Sequence, residues 1–147
     1  MVLVGPAGAG KTTFAAEHFA ASEILSSDAF RALVSDDETD LTASGAAFAV
    51  MRFLVTRRLR RGRRTCVDAT NLRRGERLPL LRSAARYGRP AVAVLFDLPL
   101  ATCLERNRLR SGRQVEEAVI ARQRSAMPRS PETLLAEGFS AVEVVAS

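Results

Sequence analysis

Lys11 is the only lysine among 22 basic side chains, and it lies in Gly5-Pro6-Ala7-Gly8-Ala9-Gly10-Lys11-Thr12, directly after the apolar run Val2-Leu3-Val4. Those residue types at that spacing suit the holding of a phosphate chain. Gly5, Gly8 and Gly10 let successive backbone N–H groups turn inward around an anion, Ala9 and Thr13 complete the cradle, and a helix beginning near Lys11 aims its positive end at the same point. Lys11 adds a mobile point charge for β- and γ-phosphates, and the Thr12 hydroxyl offers an oxygen ligand to Mg²⁺. The pattern G-x-x-x-x-G-K-T is the Walker A phosphate loop, which implies ATP or another nucleoside triphosphate with Mg²⁺ as cofactors. Wherever a generic positive charge suffices the chain uses Arg, and it keeps the flexible ammonium for this loop.

Three further groups could complete a phosphotransfer site. Asp28 and Arg31 lie at i, i+3 in Ser27-Asp28-Ala29-Phe30-Arg31, so a helix places a carboxylate able to take a hydroxyl proton beside a guanidinium able to grip an acceptor's phosphate. Asp28 also suits the N-cap of that helix, a role compatible with catalysis. Asp68, in Thr65-Cys66-Val67-Asp68-Ala69-Thr70-Asn71, ends a strand and is a candidate for the outer sphere of Mg²⁺ or for a structural hydrogen bond to Thr12. Arg106 and Arg110, four apart on one predicted helical face, and Arg113 beyond Ser111-Gly112 suggest a lid over about residues 106–125 that neutralises charge on the transferring phosphoryl group.

These groups need a scaffold that delivers them to one place. The pattern predicts a strand at residues 2–4, a helix from Thr12 to about Ala20 with Phe14, Ala15 and Phe19 inward, and a strand Glu23–Ser26 that carries Asp28 to the phosphate-loop end of a sheet. A helix begins at Asp28, Val34–Asp40 reads as an acidic loop, and a long helix runs from about Thr42 to Arg60 with Phe48, Met51, Leu54, Val55 and Leu59 at helical spacing. The run Arg57-Arg58-Leu59-Arg60-Arg61-Gly62-Arg63-Arg64 ends that helix at Gly62 and, at the end of the sheet away from the site, reads as a solvated turn in preference to a nucleic-acid clamp. Thr65–Asn71 is a third strand and Arg73–Tyr87 a helix dented at Pro79. Ala91–Phe96, an unbroken apolar run, is a central parallel strand. Helices at Pro99–Leu109, Val115–Ala126 and Pro131–Ala136 and a last strand, Ser140–Val145, complete a three-layer α/β/α fold with a parallel sheet, one domain over residues 1–147.

Composition narrows the class. With 47% hydrophobic residues in 147, the chain can bury a full core. No apolar run approaches the length of a membrane span and no leader pattern opens the chain, so the expectation is a cytoplasmic protein with no membrane partner. Cys66 and Cys103 have no partner at metal or disulfide spacing and read as small buried hydrophobes, and His18 as a surface residue without a role. A net charge of +6 permits a polyanionic partner without requiring one.

GPAGAGKT, SSDAFRALVSDDETD, SGAAF at Ser44–Phe48, VDATN, ERNRLRSGRQVEE and the closing strand after Gly138-Phe139 together resemble the 5′-hydroxyl polynucleotide kinase module of bacterial polynucleotide kinase-phosphatases, the RNA end-repair enzymes. The resemblance spans essentially the whole chain. It implies a kinase that transfers the γ-phosphate to 5′-hydroxyl ends of RNA or DNA. Lys11 and Thr12 would then be the loop's lysine and hydroxyl, Asp28 the general base, Arg31 the clamp on the acceptor's phosphate, and Arg106 and Arg110 the lid arginines. Phosphatase and ligase-like domains would belong to a longer natural chain and are not expected of this one, while a homodimer stays open. The rival on the same scaffold is a small-molecule kinase of the gluconate, shikimate or toxin-kinase sort, in which an Asp after the second strand also serves the acceptor hydroxyl.

Overall fold

Five strands lie side by side in the order β2-β3-β1-β4-β5, every pair parallel, in a computed structural model that describes residues 1–147. They are β1 (Val2–Val4), β2 (Ile24–Ser26), β3 (Cys66–Asp68), β4 (Val92–Phe96) and β5 (Ala141–Val145). Because successive strand residues face opposite ways, the apolar strands feed two cores. Val2 and Val4 of β1 and Ala93 and Leu95 of β4 pack on one side, with Met51, Val55, Leu80 and Leu134. Leu3, Val94 and Phe96 pack on the other, with Ala15, Leu98, Cys103 and Ile120. Helices α2 (Ser27–Ser35), α3 (Ser44–Arg60), α4 (Arg74–Arg86) and α7 (Pro131–Glu137) supply the first layer. Helices α1 (Lys11–His18), α5 (Leu100–Arg108) and α6 (Glu117–Ser125) supply the second. The three-layer α/β/α arrangement is the one expected.

Several boundaries differ from expectation, each for a local reason. β3 stops at Asp68 instead of Asn71. Asn71 takes a left-handed backbone (φ 47°), and its buried amide donates to the Leu3 carbonyl at 2.7 Å and to that of Ala69, so the strand's polar tail is folded under β1. Asp28 is not an N-cap. Ser26 caps α2 by accepting from Ala29 N–H, which leaves the Asp28 carboxylate in the first turn and free of capping duty. Val34 and Ser35 belong to α2, which ends at a left-handed Asp36, so the acidic loop is shorter than its composition suggests. Asp40 accepts from Thr42 N–H at 2.9 Å and starts a single tight turn, Leu41–Ala43, before α3. α4 runs through Pro79. α5 ends at Arg108, so Arg106 and Arg110 do not share a helical face.

Parallel strands bring all their carboxyl ends to one edge. The loop after β1, the start of α2 after β2 and the tail of β3 therefore meet there, and the Gly5 N–H donates to the Thr70 carbonyl at 3.0 Å to join two of them.

Candidate active site

The phosphate loop is built by backbone as much as by side chains. Gly8 (φ 78°) lies so close to the Cys103 carbonyl of α5 that a Cβ would overlap it, and Gly10 (φ 94°) is the N-cap of α1. Both positive dihedrals suit Gly and strain other residues. Gln123 of α6 braces the loop from outside, its Oε1 accepting from the Ala7 N–H at 2.8 Å. No sequence signal distinguished that glutamine from an ordinary helix residue.

Lys11 is buried and its ammonium donates to the Pro6 carbonyl at 2.7 Å. Burial pushes its pKa down from 10.5 to about 8, opposed by Asp68 and Cys103 and aided by Arg110. A phosphate placed beside it favours the ammonium, so nucleotide binding should take up a proton. Affinity should accordingly fall above pH about 8, by up to about tenfold per pH unit, until the bound form titrates. Calorimetry of ADP binding in buffers of differing ionisation enthalpy checks this, and Lys11→Met should abolish the uptake. The stability effect has the opposite sense. The burial penalty on the charged lysine is full below pH 8 and fades as pH rises from 8 toward 10.5.

Thr12 Oγ1 donates to Asp68 Oδ2 at 2.9 Å, and Asp68 is buried at the end of β3. The chain holds no group of three His, Cys, Asp or Glu residues that could cage an ion. Mg²⁺ needs no such cage where phosphates and water complete its shell, so a hydroxyl with one carboxylate behind it fits that ion.

At the other end of the cleft Arg31 pairs with Asp28 Oδ1 and also donates to the Glu38 carbonyl at 2.9 Å. Burial, with Arg113 adding to it, lowers the guanidinium's pKa from its ordinary value, although an arginine stays charged. The three arginines expected to form a lid make different contacts. Arg106 reaches the phosphate loop and donates to the Ala9 carbonyl at 3.4 Å, Arg113 reaches Asp28 at 3.5 Å, and Arg110 lines the cleft between them. The cleft measures about 620 Å³ and has Lys11, Thr12, Thr13, Asp28, Arg31 and Asp68 on its walls together with the three lid arginines. Leu41, Phe48 and Glu76 also line it, and of these only Phe48, in SGAAF, belongs to a stretch that the sequence singles out. A second cleft of about 380 Å³, beside Asp97 and Arg124, shares none of these residues.

Cys66 and Cys103 are fully buried and unpaired. Burial pushes the Cys66 thiol up to about 12 and raises that of Cys103, so both stay neutral. His18 is exposed, stacked on Phe14 and outside the cleft. No helix is long and apolar enough to cross a membrane.

A family model described as an AAA domain matches residues 1–130. The chain belongs to the AAA domain family. The phosphate loop, Asp28, Asp68, Arg106, Arg110 and Arg113 all fall within the matched residues. Among solved structures, this AAA domain is similar to a proposed kinase from Chloroflexus aurantiacus (16% identity, TM-score 0.68, covering 99% of this chain and 82% of that one). It is also similar to a sugar kinase from Janibacter (20%, 0.65, 99% and 83%) and a gluconokinase from Sinorhizobium meliloti (19%, 0.60, 99% and 80%). At these identities the likeness is one of fold, and the fold is that of the P-loop kinases. No curated protein matches the sequence.

Proposed function

We propose that the chain is an ATP- and Mg²⁺-dependent kinase of a small hydroxylated metabolite. The observation that carries the reading is that one cleft holds the phosphate loop at one end and a half-buried carboxylate, Asp28, at the other. Lys11 and the backbone of residues 5–13 would hold the nucleoside triphosphate's phosphates, with Thr12 and Asp68 on the Mg²⁺ side. The ion, when bound, supplies charge neutralisation between phosphoryl oxygens. Asp28 accepts the proton of the acceptor hydroxyl as its oxygen bonds to the γ-phosphorus and the β,γ-bridging bond breaks. Arg106 and Arg110 stabilise the charge on the moving group. The small acceptor is favoured by the sugar kinase and gluconokinase of the same fold.

A second reading, transfer to the 5′-hydroxyl of RNA or DNA, is favoured by Arg31. This guanidinium is buried at the acceptor end beside Asp28, where an acceptor's phosphate could be gripped. The two readings separate in one assay of γ-labelled ATP with a panel of sugars, sugar acids and polyols beside a 5′-hydroxyl oligonucleotide. Label on one metabolite and none on the strand is the expected result. Label on the strand alone would replace the substrate with a polynucleotide end and leave the roles of Lys11 and Asp28 as they are.

A further inference from the structure

The chain's charge is sorted along its length. Residues 41–96 contain 13 arginines and only two carboxylates, Asp68 and Glu76, whereas the remainder carries 14 carboxylates against nine cations. A preference for arginine codons would replace Lys by Arg, but it would not remove acids from one third of the chain. In the fold this segment supplies α3, β3, α4 and β4, and its two helices lie side by side with Thr56 Oγ1 and Ser83 Oγ 3.3 Å apart.

The arginines concentrate where the turn after α3 meets the turn after α4. Both turns lead into the amino ends of strands, so they lie at the opposite edge of the sheet from the cleft. Arg89 closes the two turns on each other by donating to the Leu59 carbonyl at 3.2 Å. Arg57, Arg60, Arg61, Arg63, Arg86 and Arg89 are all exposed there, and none has a carboxylate within ion-pair distance. Two aromatic rings are set among them. Phe53 is 60% exposed with the Arg57 guanidinium 4.8 Å from its centroid, and Tyr87 carries Arg86 at 5.5 Å.

We propose that this surface binds single-stranded nucleic acid. Unpaired guanidiniums at a turn supply phosphate contacts, and an exposed ring already accepting a guanidinium on its face is the platform on which an unpaired base stacks. Regular duplex would use the charge but have no use for the rings, because its bases are already stacked. The surface is separate from the cleft and does not depend on which acceptor the kinase uses.

The test is fluorescence anisotropy of a labelled circular single-stranded oligonucleotide, which has no end to enter the cleft, titrated with the full chain at several salt concentrations. We expect binding whose dependence on log salt weakens by about 2 in slope when Arg60, Arg61 and Arg63 are all changed to Glu, since each phosphate contact contributes about 0.7. Phe53→Ala should weaken binding about tenfold while leaving that slope unchanged, because it removes stacking and no charge. All these residues are exposed, so thermal unfolding should match the wild type. Binding that survives both variants but is lost with Arg106→Ala and Arg110→Ala would place the strand in the cleft and overturn the proposal. So would equal affinity for a duplex of the same length, preference for anionic lipid vesicles, or self-association lost in the same variants.

Discussion

Replacing Asp28 by Ala should lower phosphoryl transfer by about 10²- to 10⁴-fold, the usual span for a positioned general base, while ATP and ADP bind as before. Nucleotide affinity should hold because the residues that cradle phosphate, Gly8 to Thr13 and Arg106, do not touch Asp28. The acceptor side should respond differently. Asp28 is the carboxylate between Arg31 and Arg113, and removing it leaves two guanidiniums facing each other beside the acceptor, one of them buried. Asp28→Asn separates the effects, since it keeps a hydrogen-bond acceptor for Arg31 but cannot take a proton. Its loss should fall on kcat, whereas Asp28→Ala should also alter the acceptor's KM. Single-turnover measurement with saturating ATP is the deciding experiment. If either variant lost nucleotide binding with its fold intact, Asp28 would be a structural member of the phosphate site and not the base.

What could be read from the chain without coordinates follows from how local each signal is. The loop at Gly5–Thr12 was legible because its chemistry is written in consecutive residues, and the parallel sheet because the apolar runs at β1 and β4 alternate with helical periodicity. Asp28 beside Arg31 was legible for the same reason, as three residues on a helix is a local spacing. The placing of three arginines was legible only in part. Arg106, Arg110 and Arg113 do come to one cleft, but α5 stops at Arg108, so they arrive as separate contacts to Ala9, the cleft wall and Asp28. What could not be read depends on chain crossings. Gln123 bracing Ala7 from 116 residues away and Asn71 folding back onto Leu3 leave no pattern in their own neighbourhoods. Thr65–Asn71 reads as a continuous strand by composition, yet β3 ends at Asp68 and the tail turns left-handed at Asn71.

The largest effect on stability should come from a pair that no motif indicated. Arg77 of α4 is 3% exposed and forms a two-pronged ion pair with Glu137 of α7, Nε to Oε2 at 2.8 Å and a second nitrogen to Oε1 at 2.6 Å. Its remaining guanidinium nitrogen donates to the carbonyls of Asn71 and Leu72, so one side chain holds α7, α4 and the tail of β3 together. Both charges are already desolvated, and removing one partner strands the other in a buried place. Glu137→Ala should therefore cost about 3–5 kcal/mol, a large part of the stability of a domain this size. At about 2–4 °C per kcal/mol, thermal unfolding should fall by roughly 10 °C or more. The double variant Arg77→Met with Glu137→Leu should recover much of that loss in the melt, because it leaves no unpaired charge. It should not recover activity to the same extent. The Asn71 and Leu72 carbonyls would lose their donor, and the tail they belong to leads back to Asp68 and its hydrogen bond with Thr12. A melt restored together with full turnover would show that Arg77 serves stability alone. A melt restored with turnover still low would place it among the residues that position the Mg²⁺ side of the site.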